Sequence, residues 1–194
     1  MLEKNHYPPL SEKITPQNLT RLNAYADLLF SEAMPAGFIG DCTRDDIDTR
    51  HILDALWTAL APESCAVFPL ASTRPLNVFD LGAGAGLPSL PLAILFSQHT
   101  FHLIDAQEKR LRFIAEALPK LGLTNVKLYH CVVQDFTKKF IDAHTADIII
   151  FRAFRKVLAS LELALNVLKA VESGGENPKV LYWRSQKIPF TERG

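Results

Sequence analysis

This chain of 194 residues has few cysteines, no net charge and no long apolar run. Its three cysteines, Cys42, Cys65 and Cys131, share no CxxC spacing, which argues against a disulfide framework and against a cysteine-bound zinc ion. The 21 basic and 21 acidic side chains cancel, so binding to nucleic acid or to an anionic membrane would require a local patch. No apolar run approaches the ~20 residues that span a bilayer, and the polar N-terminus lacks the apolar core of a signal peptide. We therefore expect a cytoplasmic protein.

The hydrophobic pattern changes character along the chain. Residues 16–33 place apolar side chains at helical spacing, Met34 to Gly37 ends that pattern, and a second helix is predicted from Asp45 towards Pro62. From residue 76 onwards strands alternate with helices. The predicted strands are 76–81, 100–104, 126–131, 147–151 and 179–184, and the predicted helices are 87–96, 108–121 and 155–171. This alternation is typical of an α/β fold with a Rossmann-like parallel sheet, preceded by a helical extension.

A glycine-rich loop follows the first predicted strand, in the run Asp80-Leu81-Gly82-Ala83-Gly84-Ala85-Gly86-Leu87-Pro88. Glycines at this place let a ligand approach the backbone, and the loop lies at the sheet edge where such folds bind ligands. The glycine spacing is G-x-G-x-G rather than the G-x-G-x-x-G of dinucleotide-binding loops. With Asp80 before it, the run resembles motif I of class I S-adenosylmethionine (SAM) methyltransferases. Asp105, at the end of the second strand, stands where a carboxylate accepts hydrogen bonds from a ribose.

Several longer motifs resemble one particular family. Gly86 to Ala93 (GLPSLPLA) is similar to the GLPG(I/L)PLA run of the glucose-inhibited division protein B (RsmG) family. Arg50 to Asp54 resembles its RHILD, Asp105 to Phe113 its DS-x-x-KR-x-x-FL, and Arg152-Ala153-Phe154 its SRA motif. The resemblance implies a SAM-dependent methyltransferase that acts on N7 of a guanine in 16S rRNA of the bacterial small subunit. The change of pattern near residue 73 divides the chain into a helical extension over 1–72 and a domain over 73–194, which the resemblance identifies as SAM-binding.

The resemblance also assigns residues to the site. The cofactor-binding residues would be Asp80, Gly82, Gly84, Gly86, Leu87, Asp105, Val133, Gln134 and Arg152. Arg152 would in addition orient the substrate through its fork of donors. Apart from the resemblance, the basic residues Arg50, Lys109, Arg110 and Arg184 are the candidates for RNA binding, because those near the carboxyl ends of strands could converge around the pocket mouth. No general base is expected, because guanine N7 carries a free lone pair and no proton. His51 and Asp54 share a helix face, but without a third ligand we expect no metal.

The chain also departs from the family pattern. Ile39-Gly40-Asp41 replaces the family's Asn-Leu-Thr, and Ala55 and Phe151 replace serines. The chain ends at Gly194, so we expect it to lack the helix and hairpin that usually follow strand five. An inactive or partner-dependent SAM-binding protein is one alternative, and a methyltransferase for another RNA or a small molecule is a second. A third is an NAD(P)-dependent oxidoreductase, which the glycine spacing disfavours.

Overall fold

The computed structural model describes residues 14–56, 74–133, 135–136, 146–152 and 179–183. The predicted helix over 155–171, the end of the second predicted helix at Pro62, and the predicted site residues Gln134 and Arg184 lie outside these ranges. Within the described residues, no helix has the length and apolar character that a membrane-spanning segment needs.

The chain begins with two helical segments. Helix α1 spans Pro16–Leu28 and continues as a π-helical turn over Leu29–Ala33. It starts where predicted, because Thr15 caps it: the Thr15 side chain accepts a hydrogen bond from the Asn18 N–H. Helix α2 spans Arg44–Asp46 and also continues as a π-helical turn, over Ile47–Leu53. The sequence period predicted the helices but not these π turns.

Arg44 joins the two helical segments. Its Nε lies 3.0 Å from Asp27 Oδ1 of α1, and its Nη1 pairs with Asp48 within the second segment. Thr43 and Asp46 form a capping box that fixes the start of α2. The π-helical turn at 47–53 is therefore anchored to α1 through charged contacts as well as through apolar packing.

A parallel sheet forms the body of the structure, and its five described strands run in the order β3-β2-β1-β4-β5. Their bounds are β1 Asn77–Leu81, β2 Thr100–Asp105, β3 Val126–His130, β4 Ile148–Arg152 and β5 Lys179–Trp183. Two helices connect the first three strands, α3 Ser89–Leu95 and α4 Glu108–Leu121. The predicted α/β Rossmann-like fold is confirmed. The strand order reverses direction beside β1, and ligands bind at such a switch point in open α/β sheets.

The bounds of α3 and α4 are set by the glycine and proline residues beside them. Helix α4 has the predicted bounds and ends at Gly122, whose φ of 62° is the left-handed conformation that a helix C-terminal glycine adopts. Helix α3 is shorter than predicted, because Leu87 and Pro88 belong to the glycine-rich turn and the helix starts only at Ser89.

One apolar core unites the helical segments and the sheet. Leu22 and Tyr25 of α1 are fully buried, in one cluster with Leu90 of α3 and Phe113 of α4. Burial of such side chains contributes roughly 1.5–3 kcal/mol each. The N-terminal helix α1 thus packs against helices α3 and α4. The division at residue 72 remains a prediction, since 57–73 are outside the described ranges.

Candidate cofactor and substrate site

A cavity of about 430 Å³ opens at the carboxyl ends of β1, β2 and β4. Cavities of this size suit small-molecule ligands. Its lining includes most of the site residues that the sequence predicted, namely Gly82, Gly84, Leu87, Asp105, Arg110, Val133 and Arg152. Its other lining residues include Phe38, Ile39, Gly40, His51, Gln107 and Val132.

The glycine loop forms one wall of this cavity. Gly82, Gly84 and Gly86 all have positive φ angles, of 88°, 59° and 93°. The Gly82 N–H donates to the Ile104 carbonyl at 2.8 Å, which ties the loop to the end of β2. A Cβ built on Gly84 would have no atom within 4 Å. Because Gly84 also lines the cavity, a ligand can approach its backbone closely.

Gly86 has a different environment. A Cβ there would lie 2.7 Å from Leu90 Cγ and 3.3 Å from Tyr25 Oη. Tyr25 Oη donates a hydrogen bond of 2.9 Å to the Ala85 carbonyl and so fixes the back of the loop. Gly86 and Asp80 are absent from the cavity lining, so their predicted contact with a cofactor remains a prediction.

The contrast between the two glycines gives a first prediction. Gly86→Ala should lower the free energy of unfolding by roughly 1–3 kcal/mol through overpacking, in addition to the cost of its positive φ. Gly84→Ala is the matched control. Alanine there also adopts an unfavourable positive φ, but its Cβ has no atom within 4 Å. Urea denaturation of both variants checks this. Equal losses would show that Gly86 is not packed as described.

Asp105 lies at the end of β2 and is organised by backbone donors. Its Oδ2 accepts the Gly84 N–H at 2.9 Å, and its Oδ1 accepts the Gln107 N–H at 2.8 Å. Arg110 Nη1 lies 3.7 Å from Oδ2. Each carboxylate oxygen has two lone pairs, so both oxygens can accept further hydrogen bonds from hydroxyl groups in the cavity. The Gly84–Asp105 contact couples the loop to the carboxylate that the sequence predicted as ribose-binding.

Asp80 is fully buried beneath the loop. Ser89 Oγ donates to Asp80 Oδ2 at 2.6 Å, while Oδ1 has no hydrogen-bond partner among the described residues. Burial raises the pKa of the Asp80 carboxyl to about 7, and the Ser89 hydrogen bond opposes this rise. The charge of this carboxyl is therefore poorly solvated in the folded protein.

This burial predicts a pH dependence of stability. The pKa of Asp80 in the folded protein is raised above the ordinary value of 3.8 to about 7. Its titration therefore contributes most to the free energy of unfolding below pH 3.8, and this contribution is lost as the pH rises through about 7. From pH 5 to pH 8, the free energy of unfolding of the unsubstituted protein should fall by roughly 2–3 kcal/mol relative to that of Asp80→Asn. Urea denaturation at the two pH values measures it. A gap independent of pH would mean that the folded carboxyl titrates normally.

Arg152 ends β4 and reaches the opposite wall of the cavity. Its side chain is only 10% exposed. Its Nη2 donates to the Arg50 carbonyl at 3.2 Å and contacts His51 Nδ1 at 3.1 Å, with Asp54 Oδ2 at 3.6 Å. Nη1 is buried and has no hydrogen-bond partner among the described residues. Burial lowers the pKa of the Arg152 guanidinium, and the nearby Asp54 carboxylate opposes the effect.

Of the predicted RNA-binding residues, Arg50, Lys109 and Arg110 lie within the described ranges, and two of them are paired with aspartates. Arg110 lines the cavity beside Asp105, whereas Lys109 is exposed on α4. Arg50 is exposed and pairs with Asp46 at 3.1 Å. Their role towards RNA remains a prediction. No group of three or more metal-ligating side chains is found within the described ranges.

Sequence reasoning missed the linker between the helices. The sequence assigned Phe38, Ile39 and Gly40 no place in the site, yet they line the cavity. Phe38 is held there by an edge contact with Phe113 of α4, with ring centroids 6.0 Å apart. One feature of the sequence pointed to this segment: the family has an Asn-Leu-Thr motif at the positions that Ile39-Gly40-Asp41 occupy in this chain.

Comparison with known proteins agrees with this site. The family model for rRNA small subunit methyltransferase G (GidB) matches residues 18–175. The chain belongs to this family. The match includes the glycine loop, Asp105 and Arg152, so the resemblance stated from the motifs is confirmed.

Curated relatives carry the same name. The chain is 33% identical over 147 residues to ribosomal RNA small subunit methyltransferase G of Lacticaseibacillus paracasei, covering 75% of this chain and 58% of the relative. It is 30% identical over 157 residues to that of Lactiplantibacillus plantarum, covering 80% and 62%. The chain thus spans about three fifths of the length of these relatives.

Solved structures agree on the fold alone. A crystal structure of an MtNAS mutant matches with a TM-score of 0.50 at 16% identity, covering 84% of this chain and 55% of that chain. At this identity the likeness supports the Rossmann-like architecture and carries no statement about activity.

Proposed function

We propose that this chain binds SAM in the cavity and transfers its methyl group to N7 of a guanine in 16S rRNA of the small ribosomal subunit. The observation that carries the proposal is the bond between the Gly84 N–H and Asp105 at the cavity wall, in a chain of the rRNA small subunit methyltransferase G family. A ribosomal substrate would also place the protein in the cytoplasm.

The residues present fit SAM. Gly84 leaves open space where a side chain would stand, and Asp105 offers carboxylate oxygens at the same wall. Leu87 and Val133 add apolar surface that suits an adenine ring. When bound, SAM supplies an activated methyl group on a sulfonium.

The protein's own contribution would be alignment and exclusion of water. The target guanine N7 has an in-plane lone pair, so no residue needs to remove a proton. Phe38, Ile39 and Leu87 would shield the reacting atoms from solvent. Arg152 would orient the base through its guanidinium. Alignment of this kind can supply several kcal/mol of the barrier reduction, on the order of 7–11 in the best cases.

RNA binding would come from a local surface. The neutral total charge gives no general attraction, so phosphate contacts near the cavity mouth would position the substrate. A guanine in a loop, or one turned out of a helix, would then enter the cavity. Arg50, Lys109 and Arg110 are the described candidates, and Arg184 is a further candidate from the sequence.

Calorimetric titration with SAM, S-adenosylhomocysteine and NADH tests the cofactor assignment. We expect saturable binding of the first two and no binding of NADH. The family membership already disfavours the oxidoreductase interpretation. Binding of NADH in preference to SAM would overturn the proposal.

A further inference from the structure

The turn at 47–53 meets Arg152 through two neighbouring acceptors. The Arg50 carbonyl and His51 Nδ1 both lie within hydrogen-bond distance of the same nitrogen, Nη2, at 3.2 and 3.1 Å. The Asp54 carboxylate is farther away, at 3.6 Å, so it attracts the guanidinium electrostatically but does not orient it through a hydrogen bond. A guanidinium held at Nη2 in this way cannot rotate freely about its Nε–Cζ bond.

The His51 ring is suited to accept this hydrogen bond. Burial, followed by the neighbouring Arg152 charge, lowers the pKa of His51 to about 4, so the ring is neutral near pH 7. Guanidinium nitrogens only donate, so Nδ1 must be the acceptor and the ring proton must sit on Nε2. His51 also lines the cavity, so direct contact of the ring with a ligand is the alternative that the variants below test.

We propose that His51 is a positioning residue that acts through Nδ1 to fix the Arg152 guanidinium in the orientation that aligns the target base. This inference rests on the proposed methyl transfer. The π-helical turn brings Nδ1 and the Arg50 carbonyl to one side of the guanidinium, so the loss of Nδ1 leaves a single short acceptor there. Displacements of about 1 Å in an aligned site can cost about 100-fold in rate.

Two isosteric variants separate the ring nitrogens. In His51→Asn the amide oxygen takes approximately the place of Nδ1, whereas in His51→Gln the amide reaches approximately the place of Nε2. We expect His51→Asn to keep most of kcat, and His51→Gln to lose about 100-fold in kcat. The SAM affinity and the thermal midpoint of both variants should stay close to those of the unsubstituted protein.

A double-mutant cycle tests whether the effect passes through Arg152. In an Arg152→Ala background, His51→Gln should cause little further loss, because the group that His51 positions is already gone. An additive loss in that background would overturn the inference. Rescue by Gln rather than Asn would also overturn it, since the ring would then act through Nε2 on a ligand.

An NMR signature gives a readout independent of transfer. The Nη protons of a held guanidinium give separate signals, whereas those of a freely rotating one average. The signals assigned to Arg152, by their absence in Arg152→Lys, should stay separate in His51→Asn and average in His51→Gln. Averaging in the unsubstituted protein would contradict the inference. Absence of transfer by the unsubstituted protein, with separate Arg152 signals, would instead count against the proposed function alone.

Discussion

Gly84→Val should reduce the affinity for SAM by more than about 100-fold. The side chain would enter space in which a Cβ on Gly84 meets nothing, at the wall where Gly84 N–H binds Asp105. The branched side chain would fill the space needed for close approach of the ligand. Calorimetric titration with SAM measures the loss.

Backbone strain needs its own control, because valine at a positive φ costs roughly 1–2 kcal/mol wherever it is placed. Gly37 has a φ of 70°, no atom within 4 Å of a built Cβ, and no place in the cavity lining. Gly37→Val should therefore lose similar stability and keep its SAM affinity. Unchanged SAM affinity in Gly84→Val would refute the placement of the cofactor at this loop.

Arg152→Ala should lower methyl transfer much more than SAM affinity. The variant removes the guanidinium that lines the cavity beside the turn at 47–53, and the base would lose its orienting donor. Loss of one preorganised donor typically costs about 100- to 1,000-fold in kcat. Single-turnover transfer and calorimetry on the same preparation separate the two effects.

Arg74→Ala is a suitable control for this substitution. Arg74 also pairs with an aspartate, Asp147, but lies before β1, at the end of the sheet opposite the cavity. Its removal should leave both transfer and SAM affinity unchanged. Equal losses of transfer and affinity in Arg152→Ala would instead assign Arg152 to cofactor binding.

The fold was predictable because its signals are local. The strand–helix alternation predicted a parallel sheet, and helix α4 has the bounds that its apolar period and the following Gly122 predicted. The π-helical turns were not predictable, because a period of apolar side chains does not distinguish them from an α-helix. The turn at 47–53 depends on tertiary contacts such as Arg44 with Asp27.

The site was predictable only in part. The motif marks Gly84 and Gly86 alike, yet one faces open space and the other packs against Leu90 and Tyr25. Only the three-dimensional surroundings of each Cα separate these roles. The contribution of Phe38 likewise depends on a distant partner, Phe113, which no local pattern specifies.

One rival interpretation keeps the cavity but not the reaction. A SAM-binding protein that is inactive, or that needs a partner, would show the same Gly84 effect as an active enzyme. Only transfer distinguishes the two, so SAM binding alone does not decide the central claim.

The most direct test is transfer of a radiolabelled methyl group from SAM to unmodified small ribosomal subunits, followed by reduction and aniline cleavage of the RNA at N7-methylguanine. We predict label in 16S rRNA and one new cleavage position, both absent with Gly84→Val. Binding of SAM without label in the RNA, or label at an atom other than guanine N7, would contradict the account.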